Sequence, residues 1–178
     1  PNLPVSTAVP AGMVSILIPC CGGLEYTKLC VPAVLQHSRT PFELLFLDLG
    51  SLDGTAEYLA GVAAACRVLS KVRVEVVTTP TDLGIRQAIQ EAIAKARGEY
   101  LVLLNNDTVV TDAWLNQMTG LASMSPAVGL VGPMSNYAAP PQLVELVPYR
   151  IGPRKGGRPG GPLVDVAPVH AFAREFRE

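Results

Sequence analysis

The stretch Leu101 to Val110 reads LVLLNNDTVV: a strand-like apolar run enters three polar residues, Asn105, Asn106 and Asp107, with a second apolar pair close behind. A surface turn is usually built from Gly, Pro, Asn or Ser and then stays polar for several residues. Polarity confined to three positions and ending in a carboxylate suits a strand whose C-terminal end opens into a site. Two further segments repeat the form. VSILIP leads into Cys20-Cys21-Gly22-Gly23, and FELLFLD ends on Asp48 and continues as LGSLDGT to Thr55. Ligands of open α/β sheets bind at the carboxyl ends of strands. Each segment alone is a weak signal, and their coincidence is the strongest one in the chain.

The elements that must position these residues follow from periodicity. Strand-like runs at 14–19, 42–48, 72–78 and 100–104 alternate with helical patterns over Glu25 to Ser38, Ala56 to Leu69 and about Ile85 to Arg97. That alternation predicts a parallel sheet with helices on its faces, and the continuous apolar strands predict burial on both faces. Ile85, Ala88, Ile89, Ala92, Ile93 and Ala96 form one helical stripe. Gly98 stands where a left-handed helix cap belongs. Thr111 or Asp112 is placed to cap the helix containing Trp114, Leu115 and Met118. Pro32 is expected to kink or break the first helix. The organisation reads as a lead-in at 1–12, a domain at 13–147, a Gly/Pro-rich loop at 148–164 and a terminal helix at 165–178.

Bulk composition excludes several classes. The chain has 178 residues, enough for one domain with a real core. Charged residues make up 16% and the formal net charge is -1, which speaks against a nucleic-acid surface or a polybasic membrane patch. Cys20, Cys21, Cys30 and Cys66 lack zinc spacing and stand apart from His37 and His170, so they read as reduced thiols in a cytosolic core. The longest apolar stretch, Tyr58 to Cys66, is far short of the roughly 20 residues that span a bilayer, and the start carries no signal-peptide pattern. Neither G-x-G-x-x-G nor a P-loop occurs, which argues against dinucleotide and P-loop chemistry.

Together VSILIP, DLGSLDGT, LGIRQAIQEAIAKARGEYLVLLNND and VGLVGPMSN resemble the family 2 inverting glycosyltransferases over about Val14 to Gln142. The resemblance implies a GT-A fold, a three-layer α/β sandwich with a mostly parallel sheet. It also implies sugar transfer from a UDP-, dTDP- or GDP-linked donor to a glycan acceptor, assisted by Mn²⁺ or Mg²⁺. A diphosphate is strongly anionic, and a divalent ion bridging it to one or two carboxylates is an economical way to hold it. In that reading Asp107 is the metal ligand, and Pro19, Cys20, Asp48, Gly50, Arg86, Asn105 and Asn106 line the nucleotide site. Asp48 would accept from a ring N–H of the base, and Asn105 from a ribose hydroxyl. Asp53 reads first as a helix cap and second as a ligand contact, and Arg86 first as a solvated charge and second as a diphosphate contact.

The chain departs from the family at three places. Asn105-Asn106-Asp107 replaces an Asp-x-Asp motif, Pro19-Cys20-Cys21-Gly22 replaces a segment bearing an aromatic ring and an amide, and Gln90 stands near a usual Asn. An alternative to the enzyme is therefore a non-catalytic nucleotide-sugar-binding module of a larger protein. No residue matches the family's general base. Asp165 is a weak candidate, and the chain reads as a fragment of a longer cytoplasmic or membrane-peripheral enzyme.

Overall fold

The computed structural model describes residues 11–69, 72–79, 84–151 and 164–175. Most of the expected lead-in, most of the Gly/Pro-rich loop and the last three residues of the expected terminal helix lie outside them. The chain forms two compact units, one of residues 1–24 and 40–106, the other of residues 25–39 and 107–178.

The first unit is the sheet. Its strands are β1 (Val14–Cys20), β2 (Phe42–Asp48), β3 (Val74–Thr78) and β4 (Tyr100–Leu103). They pair in the order β3-β2-β1-β4, and every pairing is parallel. Register aligns Cys20 with Asp48 and Leu17 with Leu103, so the C-terminal ends of β1, β2 and β4 share one edge. Two of the crossover helices lie wholly in this unit, α2 (Thr55–Leu69) and α3 (Gly84–Lys95). The path turns back after β3, and right-handed crossovers then set α2 and α3 on opposite faces. The layering expected from sequence is present in this unit.

Burial follows strand position. β1 is buried throughout and β2 nearly so, as expected for strands covered on both faces. Ala88 and Ala92 of α3 pack on Leu17, Leu45 and Leu47, with Ile89 and Ala96 beside them. The edge strand β4 departs from the expectation. Leu101 and Leu103 share the face of Ser15 and Leu17, on which α3 lies, yet are 50% and 58% exposed. Ile85 and Ile93, at the margin of the α3 stripe, are also exposed. α3 seats on the central strands and does not reach far enough to cover the edge.

At the opposite, N-terminal edge lies a buried carboxylate. Glu43 has no exposed surface. Its Oε1 accepts from the Ser15 hydroxyl at 2.5 Å and the Arg97 N–H at 2.6 Å, while Arg73 pairs with Oε2. Burial acts to raise the Glu43 pKa, but the bonds from Ser15, Arg97 and Arg73 outweigh it and hold the group below its ordinary value. Gly98 belongs to this clamp and corrects the cap expectation, because it has no left-handed φ. Its N–H donates to Ser15 Oγ at 2.8 Å, and a Cβ there would meet the Ser15 backbone nitrogen at 2.4 Å. Glycine is needed for close approach rather than for a turn.

The second unit holds most of α1 (Leu24–His37), α4 (Trp114–Ser123) and α5 (Ala167–Glu175). α1 runs through Pro32 without a break. Neither expected residue caps α4. The cap position is Ala113, at φ 55°, with no side-chain bond. Asp112 instead accepts from Arg39 at 2.9 and 3.0 Å, and this ion pair removes its carboxylate from the helix end. The Trp114 indole donates to Ser38 Oγ, and the rings of His37 and His170 lie 4.4 Å apart.

Candidate functional site

Three turns meet at the C-terminal edge of the sheet, and Gly22 is their junction. The β1 turn carries the chain through Cys21, Gly22 and Gly23, with Gly22 at φ 74°, a conformation that costs a glycine almost nothing. The Gly22 N–H donates to Ser51 Oγ at 2.9 Å, and the Gly22 carbonyl accepts from Asn106 Nδ2 at 3.0 Å. The turn after β1 is thereby bonded to the turns after β2 and β4.

The β2 turn is built by its own acids. Asp48 is 2% exposed, and its Oδ1 accepts the Ser51 N–H at 3.1 Å, closing LGS around Gly50 at φ 72°. Asp53 Oδ1 accepts from the Thr55 hydroxyl at 2.6 Å and the Thr55 N–H at 3.2 Å, while Oδ2 accepts the Leu24 N–H at 2.9 Å. One carboxylate thus serves the first residues of both α1 and α2, and the capping role expected of Asp53 is present. The Thr55 hydroxyl, joined by the Leu24 and Thr55 main-chain N–H groups, pulls its pKa down to about 2.

The sequence-derived residues divide by environment. Pro19, Cys20 and Asp48 are buried, with the Cys20 thiol donating to the Ile18 carbonyl at 3.6 Å. The exposed thiol of this turn is Cys21; all four cysteines are free, and Cys21 departs from the core expectation because it lies in the turn beyond β1. Gly50 and Asn106 are half-buried, and Asn105, Asp107 and Arg86 are exposed. Within the sheet unit the structure gathers Cys20, Asp48, Gly50 and Asn106 at one edge, and Asp107 follows Asn106 directly in the chain. Arg86 lies on the first turn of α3. Asp165 is exposed and accepts the Ala167 N–H at 3.0 Å, the work of a helix-start residue.

Ser51 and Gly22 were not singled out by sequence reasoning. Each sits inside a motif that was, but the only available signal was polarity next to glycine at a strand end. Among the described residues no group of three or more His, Cys, Asp or Glu side chains is placed to hold a metal ion. No described helix is long and apolar enough to cross a membrane.

Comparison with known proteins gives a consistent picture. A family model described as "Glycosyl transferase family 2" matches residues 15–158. An uncharacterized protein of Sinorhizobium fredii, y4gI, is 31% identical over 128 residues, which is 70% of this chain and 13% of that one. The glycosyltransferase GlyG of Streptococcus pneumoniae is 23% identical over 125 residues, covering 70% of this chain and 40% of that protein. An uncharacterized glycosyltransferase of Haemophilus influenzae is 26% identical over 126 residues, covering 71% and 47%. The chain therefore spans less than half the length of these curated relatives. Among solved structures, S. aureus TarS 1–349 superposes with a TM-score of 0.53 at 17% identity, over 61% of this chain and 32% of that one. The same protein in complex with UDP-GlcNAc gives 0.53 at 17%, over 61% and 30%.

Proposed function

The chain belongs to glycosyl transferase family 2, and from that premise we propose that its strand-end site holds a nucleotide-diphosphate sugar for inverting transfer to a glycan acceptor. One observation carries the proposal: the ends of three adjacent parallel strands, bearing Cys20, Asp48 and Asn106, are bonded together through Gly22 at the carboxyl edge. That edge is where α/β sheets bind ligands.

In this reading each residue has a distinct task. Asp48, buried and with one oxygen held by Ser51, presents a fixed acceptor for a ring N–H of a uracil-, thymine- or guanine-type base. Asn105 accepts from the ribose, and Arg86 on the first turn of α3 meets diphosphate charge. Asp107 is the acid for a divalent ion. The donor set fits Mn²⁺ or Mg²⁺ shared with the ligand, because the exposed Asp107 carboxylate would supply one protein ligand, and such an ion commonly needs only one or two carboxylates when a diphosphate is bound. Such an ion stabilises charge on the leaving diphosphate. Asp165 is a poor general base, since its carboxylate holds the start of α5. The proposal therefore has these residues binding the donor and turning it over poorly by themselves.

Calorimetric titration with UDP, dTDP and GDP, each with and without Mn²⁺, tests the reading. The expected result is binding of at least one diphosphate that strengthens with Mn²⁺, with the Mn²⁺ dependence lost in Asp107→Asn and the fold unchanged. Equal Mn²⁺ dependence in the variant would remove Asp107 from the site. Binding with no transfer from any nucleotide sugar, even in the longest chain that can be expressed, would favour the non-catalytic binding module.

A further inference from the structure

We propose that Asn106 and Ser51 are positioning residues, whose bonds to the two sides of Gly22 lock the three donor-binding turns into their bound geometry before a nucleotide arrives. This deepens the donor-site reading and rests on it. The Asn106 amide nitrogen is spent on a main-chain carbonyl of a segment 84 residues earlier, and the Ser51 hydroxyl accepts from the same residue's N–H. Ser51 is itself fixed through its N–H to Asp48 Oδ1. A continuous path therefore runs from Asp48 through Ser51 and Gly22 to Asn106, crossing from β2 over β1 to β4.

Gly22 suits the junction for conformational reasons rather than spatial ones. A Cβ there would be 3.5 Å from Asp53 Oδ2, an ordinary contact, so its positive φ is the constraint. Releasing either bond frees a turn whose other side is still held, and the ordering must then be met by the ligand, which lowers affinity. A net hydrogen bond of this kind corresponds to about a two- to twelvefold change in an equilibrium constant.

The test compares Asn106→Asp, Asn106→Ala and Ser51→Ala. Asn106→Asp keeps shape, removes the N–H donor and adds a negative charge beside Asp107. Hydrogen exchange of the unliganded protein is read first. In Asn106→Asp the expected result is about two- to twelvefold faster exchange at the Gly22 amide, a group this side chain does not touch, with β1 and β2 still protected. Titration with Mn²⁺ and the diphosphate the parent chain binds is then expected to show about two- to twelvefold weaker binding in all three variants.

Unchanged exchange at Gly22 in Asn106→Asp overturns the lock. Faster exchange with unchanged nucleotide affinity overturns its role in donor binding. Tighter binding in Asn106→Asp than in Asn106→Ala overturns it in favour of a direct metal contact by residue 106. If the parent chain binds no diphosphate, the donor-site reading fails, and the exchange measurement still decides whether Gly22 is held.

Discussion

Gly98→Ala tests the clamp that sets the N-terminal edge of the sheet. The added Cβ would lie 2.4 Å from Ser15 N and 2.8 Å from both Ser15 Oγ and Val14 C. Two of these atoms are backbone of β1, whose residues Val14 and Ser15 are held by Phe42 and Glu43 on one side and by Tyr100 and Leu101 on the other. β1 cannot yield without loosening both ladders, so the 97–98 segment must retreat by about 1 Å to reach ordinary contact. A retreat of that size takes Arg97 N to Glu43 Oε1 from 2.6 Å, and Gly98 N to Ser15 Oγ from 2.8 Å, out of hydrogen-bond range. A lost bond to a charged acceptor costs about 1.5–3 kcal/mol and a neutral one about 1. With residual overpacking the sum is about 3–5 kcal/mol, a large part of a stability of about 5–15. Urea denaturation reads it directly. Gly61→Ala is the control, since Gly61 lies inside α2 with open space where its Cβ would be, and it should gain about 0.5–1 kcal/mol. A loss below about 1 kcal/mol in Gly98→Ala would show that the close approach does not constrain the fold.

Three further outcomes are expected. Glu43 has a folded pKa below its unfolded one, so its contribution is whole above about pH 4.5 and is lost as pH falls through the folded value; Glu43→Gln should flatten the acid limb of a stability-against-pH curve. His170 has its pKa lowered by burial, then by the neighbouring charges of His37 and Arg174, against an opposing effect of Asp112. Its folded value lies below the unfolded 6.5, so stability should fall as pH drops below about 6.5 and level off beneath the folded value; an NMR titration giving His170 a pKa above 6.5 would contradict this. Ala113→Gly should stabilise the chain by about 1 kcal/mol, because Ala113 occupies a left-handed conformation that costs an L-residue about that much, and thermal unfolding is the measurement.

What could be read from sequence was whatever depends on near neighbours. The alternation of strands and helices, the ends of β1 and β2, and the capping by Asp53 all follow from periodicity or from residues two positions apart. Three misreadings come from placement in the fold rather than from local pattern. Gly98 looked like a helix cap because the strand that crowds it lies 83 residues away. Asp112 looked like a cap because its ion-pair partner Arg39 is 73 residues earlier. The strand at 100–104 looked buried on both faces because an apolar run does not reveal that it will stand at the edge of its sheet. At the candidate site the polar strand ends were legible, whereas the bond from Asn106 to Gly22 was not, for the same reason of sequence distance.

The candidate acids sort by what already holds them, and the sorting bears on which of them can serve a cation. Asp53 has both oxygens engaged by groups that start α1 and α2, so metal binding there would uncap two helices at once. Asp48 is buried, with one oxygen fixing the turn it belongs to, an arrangement that favours a directional hydrogen bond over a hydrated ion that keeps several of its waters. Asp165 is occupied at the start of α5. Asp107, exposed like Asp53 and Asp165, differs from all three in that no hydrogen bond or ion pair engages its carboxylate among the described residues, and it follows the residue that is bonded to Gly22. A carboxylate in that position can turn toward an arriving metal-diphosphate complex without giving up a bond to any described residue, which is the physical reason for proposing Asp107, and not the other three acids, as the metal ligand.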